Sequence, residues 1–261
     1  LEHLGNKPFV LTVYDMIHEI FPEYNLSETI IKEKKELILR ADHIVAISKN
    51  TKKDIVDIYN VPKSKVTVAH LATSSNFRVS KEVEGLPKDY LLYVGNRSRY
   101  KNFYFIARAV SVLPKSLSHI SLLVVGGPLY QEEKDYLKLL GVLDRVMVVS
   151  PNDEELAYMY SKAIALLFTS NYEGFGLPIV EAFEAKCPVI LSNVSCMPEI
   201  GEDAAYYVSP KEIEEIKEAI NRLYEDKDLR EKLIAKGLER AKKFSWEDYT
   251  NKVINIASGL C

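Results

Sequence analysis

A chain of 261 residues is long enough for one large or two modest domains with ample core. Its 34 basic and 37 acidic side chains, net −3, give no electrostatic footprint for nucleic acid as a partner. No apolar run approaches the ~18 residues that a membrane helix needs, and the opening residues lack the pattern of a signal peptide. Cys187, Cys196 and Cys261 are scattered, lack metal spacing and fit a reducing cytosol. Cys187, just before Pro188, reads as a small buried apolar residue.

Short apolar runs alternate with amphipathic helical patterns, the signature of parallel βα units. In chain order the first part predicts strand 9–13, helix 30–40, strand 43–47, helix 52–59 and strand 65–69. Gly85-Leu86-Pro87 reads as a linker. Beyond it, strands are predicted at 90–94, 120–125, 146–149, 163–169, 189–191 and 204–208. Helices are predicted at 103–113, 131–140, 154–161 and 177–185, followed by two longer ones at 213–224 and 229–242. Ser245-Trp246 opens a last helical pattern reaching Ala257. The second part is therefore a complete Rossmann-like domain, residues 85–244, and residues 1–84 are a partial one.

Tyr172-Glu173-Gly174-Phe175-Gly176-Leu177-Pro178 joins a buried strand to a helix, with Glu181 one turn inside that helix. Ligands bind at this edge of doubly wound sheets. Gly174 and Gly176 let the backbone pass close to a ligand, and the amides of Phe175 and Leu177 can face an anion at the helix start. Ionised carboxylates only accept hydrogen bonds, so Glu173 and Glu181 suit a ligand rich in hydroxyls. After the strand at 90–94 comes Gly95-Asn96-Arg97-Ser98-Arg99-Tyr100-Lys101. Cations here would hold a diphosphate and offset the charge growing on it as it leaves.

The 172–182 segment resembles the E-x7-E motif of the family 4 retaining glycosyltransferases of the GT-B fold, and the resemblance runs over about residues 88–258. It implies an α/β fold of GT-B type: a donor-binding domain at 85–244, a partial acceptor-side domain at 1–84, and a terminal helix at 245–261 crossing back to the first domain. Because the amino-terminal domain of these enzymes is usually the larger, its beginning is expected to be missing or reduced here. The resemblance implies transfer of a hexose, mannose or another, from a GDP- or UDP-sugar to a glycan or lipid-linked acceptor.

By the same resemblance Lys101 and Arg97 hold the diphosphate, with Arg99 as an outside alternative to Arg97. Glu173 contacts the sugar, and Glu181 binds the ribose hydroxyls. Gly95, Gly126 and Ser150, together with the amides of Gly174, Phe175, Gly176 and Leu177, complete the donor site. Many relatives carry His-Asp where this chain has Tyr14-Asp15, so Tyr14, Asp15 and His18 are the acceptor-side candidates. Asp15 can also simply fix the local turn, and His70 is expected to be structural. Bacterial relatives extend surface polysaccharides, which implies a cytoplasmic enzyme with peripheral association at the inner face of a membrane.

No cofactor or metal is expected. Asp226-Lys227-Asp228 spells a D-x-D, but it falls between two amphipathic helices, where Asp caps a helix start. Rival readings are a sugar-nucleotide-binding module without turnover and a nucleotide-sugar epimerase. A dehydrogenase is disfavoured, because no strand runs into G-x-G-x-x-G.

Overall fold

The computed structural model describes residues 5, 7–24, 28–74, 77 and 82–259, so Cys261 lies outside the described residues. In chain order the first elements are β1 (Val10–Val13), α1 (Ile17–Ile20), α2 (Glu28–Arg40), β2 (His43–Ala46), α3 (Lys49–Tyr59) and β3 (Val66–Val68). Next come β4 (Tyr90–Val94), α4 (Phe103–Ser111), β5 (Ser121–Val125), α5 (Gln131–Leu139), β6 (Val146–Val149) and α6 (Asp153–Lys162). Then follow β7 (Leu166–Phe168), α7 (Leu177–Glu184), β8 (Val189–Ser192), α8 (Met197–Gly201) and β9 (Tyr206–Val208). The last three are α9 (Ile213–Glu225), α10 (Lys227–Ala241) and α11 (Trp246–Ser258).

The chain divides into two compact units, one of residues 1–72, 173–176 and 244–261, the other of 73–172 and 177–243. The division thus falls before the Gly85-Leu86-Pro87 turn. Thr73, Phe77 and Glu82 make contacts inside the second unit: Thr73 donates to Glu184, Phe77 meets Tyr160 edge-on, and Glu82 accepts from Tyr158.

In the first unit β1, β2 and β3 form a parallel sheet in that order. Its core gathers Met16, Ile38, Ile44 and Ile55, all fully buried. Ser48 caps α3 by accepting from the amide of Thr51 at 3.0 Å. In α11, Tyr249 brings its hydroxyl to 3.2 Å from Thr12 Oγ1.

The second unit holds a parallel sheet ordered β6-β5-β4-β7-β8-β9. Its central strands are apolar throughout because helices cover both faces, and Leu91, Leu92, Leu122, Leu123 and Leu167 are fully buried. The chain builds outward from β4 through β5 to β6, then crosses back to β7 on the other side of β4. β7 is shorter than the apolar run at 163–169 suggests, although the Ile164 amide still donates to Tyr90 O and Ala165 O accepts from the Leu92 amide. Gly237 of α10 sits against Phe183 of α7, where an added Cβ would come within 2.6 Å of the ring.

Candidate active site

All strands of the second sheet run parallel, so the loops after β4, β5, β6 and β7 leave the same edge. The reversal of strand order between β4 and β7 is the position where open α/β sheets bind ligands. Lys101 sits beside it. Its Nζ lies 5.6 Å from the centre of the Tyr100 ring and 5.6 Å from that of Phe168, the last residue of β7. The amide of Asn171 donates to Tyr100 O at 2.7 Å, tying the loop after β4 to the loop after β7.

Arg97 has a partner that its sequence neighbourhood does not reveal. Its Nε donates to Glu133 Oε1 at 2.8 Å, and its terminal nitrogens donate to Gly127 O at 3.0 Å and Pro128 O at 2.6 Å. Both side chains of this ion pair are only 4% exposed. The other oxygen of Glu133 accepts from the Tyr130 amide at 2.8 Å. The guanidinium thus fastens the loop between β5 and α5, while Arg99 is exposed. The same two loops touch through bare backbone: a Cβ on Gly126 would meet Gly95 O at 2.8 Å, and Gly95 itself has φ 130°. Ser150 after β6 is exposed, with its hydroxyl 3.3 Å from Gly126 O. Asn152 caps α6, accepting from the Glu155 amide at 2.9 Å while Glu155 accepts from the Asn152 amide at 3.0 Å.

Residues 173–176 belong to the first unit, although β7 and α7, which flank them in the chain, belong to the second. Glu173 is buried, 7% exposed. Gly174 must be glycine, because a Cβ there would stand 1.8 Å from Tyr14 O. Its own carbonyl accepts from Thr51 Oγ1 at 3.3 Å. Phe175 packs with Phe244 at 5.5 Å and with the His70 ring at 5.9 Å, so His70 contributes an aromatic contact to this cluster. Gly176 takes a positive φ of 94° just before Leu177 starts α7.

Glu181, half-buried on α7, accepts from the hydroxyl of Tyr160 at 2.9 Å. Burial raises its carboxyl above the ordinary range, and the Tyr160 hydrogen bond opposes that shift. Asp153 and Glu184 push it further up. At the end of β7 the Thr169 hydroxyl is buried without a hydrogen-bond partner. Burial also pushes the Cys187 thiol up to about 12, in keeping with an apolar packing role.

Of the residues expected on the acceptor side, Tyr14 is 58% exposed, and Asp15 Oδ1 accepts from the Ile17 amide at 3.0 Å, holding the local turn. Tyr14, Asp15, His18, Glu33 and Lys34 line a groove of about 370 Å³ within the first unit. Lys34 pairs with Glu19 at 2.9 Å. Asp226 of the D-x-D caps α10, accepting from the Leu229 amide at 2.9 Å. Among the described residues no cluster of His, Cys, Asp and Glu is placed to hold a metal ion.

Residues 75–240 match the model of the group 1 glycosyl transferases. The chain belongs to that family. It is 31% identical over 263 residues to the O-antigen chain mannosyltransferase B of Escherichia coli, covering 94% of this chain and 69% of that enzyme. Solved glycosyltransferases share the GT-B fold. The sucrose-phosphate synthase of Thermosynechococcus elongatus superposes with a TM-score of 0.83 at 22% identity, over 99% of this chain and 69% of its own. The Anabaena HepE structure with UDP and glucose gives 0.79 at 19% identity, over 99% and 73%. Glu133, Tyr160 and Thr169 are the residues of this glycosyltransferase that sequence reasoning missed. Only Glu133, three residues into a helix that follows Gly-Gly-Pro, carried any local signal.

Proposed function

We propose that this glycosyltransferase moves a hexose from a nucleoside-diphosphate sugar to a saccharide acceptor with retention of configuration. The observation that carries the reading is Lys101, held at the switch point over the end of β7 and tied to the loop that leads into Glu173. A cation there offsets the charge gained by a diphosphate as its bond to the sugar's anomeric carbon breaks. The acceptor oxygen forms the new bond to that carbon on the face the diphosphate leaves, and its proton passes to a diphosphate oxygen. Lys101 supplies this charge without a metal ion. Arg97, engaged with Glu133, orients the loop after β5 in place of the direct diphosphate contact expected from the sequence.

Glu173 orients the sugar hydroxyls, and Glu181 accepts from the ribose hydroxyls. The amides of residues 174–177 approach the sugar and phosphates, and the groove at Tyr14, Asp15 and His18 serves the acceptor. The similarity to an O-antigen mannosyltransferase favours a mannosyl donor and a lipid-linked glycan acceptor, hence work at a membrane surface. Among the described residues no helix is long and apolar enough to cross a membrane.

A sugar-nucleotide-binding module without turnover is the second reading, motivated by Tyr14 where many relatives carry histidine. Transfer and donor hydrolysis, measured beside nucleotide affinity for GDP- and UDP-sugars, separate the two. Lys101→Ala and Glu173→Ala should each lower turnover far more than they lower the melting temperature. Wild-type affinity without any turnover, across mannosyl and glucosyl donors and glycan acceptors, would overturn the enzymatic reading.

A further inference from the structure

We propose that Tyr160 is a positioning residue of the donor site, its hydroxyl fixing the carboxylate of Glu181 that grips the nucleotide ribose. This rests on the assignment of Glu181 made above. Tyr160 is fully buried, so it touches no ligand itself and acts only through what its hydroxyl holds. That hydroxyl donates to Glu181 Oε2 at 2.9 Å, and Glu181 is the more exposed of the two. One carboxylate oxygen is thereby held by the hydroxyl, which fixes the orientation of the group that would meet the ribose.

The ring itself is held. Phe77 meets it edge-on at 5.8 Å between centres. Tyr160 also lies on α6, whose first turn is pinned by the Asn152–Glu155 capping box directly after the Ser150 loop. The eight steps from Asn152 to Tyr160 rise ~12 Å along the helix, so one rigid element joins the Ser150 loop to the carboxylate expected at the ribose.

The electrostatics around the carboxylate agree with this role. Glu184 on its own helix and Asp153 on α6 both disfavour its ionised form, as does burial. The Cys187 thiol acts on Tyr160 in turn. From α10 the packing on α7 comes through Gly237 against Phe183. The Tyr160 hydroxyl is the group that favours the ionised carboxylate, which the ribose hydroxyls need as an acceptor.

The test is the pH dependence of donor KM in Tyr160→Phe, Glu181→Gln and the double variant, with nucleotide diphosphate affinity measured alongside. Protonation of Glu181 weakens donor binding, so KM in the wild type rises as pH falls through its raised pKa. Tyr160→Phe should move that transition to higher pH and raise KM at pH 6 about tenfold, with kcat nearly unchanged. Glu181→Gln should raise KM without that transition, and adding Tyr160→Phe to it should cost little more. If Glu181→Gln leaves KM and nucleotide affinity unaltered, the ribose assignment itself fails. If Glu181→Gln raises KM but Tyr160→Phe leaves the pH midpoint in place, changing only melting temperature or kcat, the positioning role is overturned.

Discussion

Replacing Glu133 by alanine tests how the loops after β4 and β5 are held together. The Arg97–Glu133 pair is dry, each side chain 4% exposed, and the carboxylate makes two contacts: Arg97 Nε at 2.8 Å and the Tyr130 amide at 2.8 Å. Removing one partner of such a pair leaves a buried charge and costs ~3–5 kcal/mol. The lower end applies, because Arg97 keeps its bonds to Gly127 O and Pro128 O. At ~3 kcal/mol, a unit of this size should lose ~6–12 °C in melting temperature, read by calorimetry or fluorescence. Arg97→Met with Glu133→Leu removes both charges and should lose less than the two single losses added together. Activity adds a second arm. If Arg97 only orients the loop, Arg97→Ala and Glu133→Ala raise donor KM to a similar extent, and their combination is no worse. A Glu133→Ala protein melting within ~2 °C of wild type would refute the stability argument. Activity lost in Arg97→Ala far beyond Glu133→Ala would return Arg97 to the diphosphate.

Three further outcomes are expected. Gly174→Ala drives a methyl into the Tyr14 carbonyl, 1.8 Å away, so the loop must shift; a loss of ~1–3 kcal/mol or more in chemical unfolding checks this, and wild-type stability with full activity would contradict it. Glu181 has a raised pKa, so its protonated form favours the folded state, and that contribution disappears as pH rises through the raised value. Glu181→Gln should therefore melt close to wild type near pH 4.5 and above it at pH 8, a gap that scanning calorimetry at the two pH values measures. The Thr169 hydroxyl is buried without a partner, so Thr169→Val should be neutral or stabilising by ~1 kcal/mol in urea unfolding, and a marked loss would reveal a hydrogen bond made by that hydroxyl.

The alternation of strand and helix was readable because parallel strands buried on both faces leave unbroken apolar runs, as in Tyr90–Val94 and Leu166–Phe168. α1 and α8, four and five residues long, were not, since neither completes enough turns to show a helical period. The glycine positions were readable as positions needing backbone approach, but what approaches Gly174 is the Tyr14 carbonyl, 160 residues earlier in the chain, which no local pattern encodes. The cations show the same limit. The loop after β4 announces positive charge at residues 97, 99 and 101, yet the direction of each side chain depends on partners brought in by the fold, Glu133 for Arg97 and Phe168 for Lys101.

Composition and spacing therefore mark which strand edge carries the chemistry, while the division of labour on that edge is set by contacts distant in sequence. Glu181 illustrates the consequence. A motif can say that a carboxylate stands one turn into α7, but burial, Asp153 and Glu184 all work against its charge, and the Tyr160 hydroxyl supports it from another helix. A buried acid held ionised against its surroundings costs stability, and such a cost persists where ligand binding uses the charge. On the proposed role of Glu181, the pH-dependent stability of Glu181→Gln and its expected loss of donor affinity are two faces of one interaction, so a variant that gained the first without the second would overturn that role.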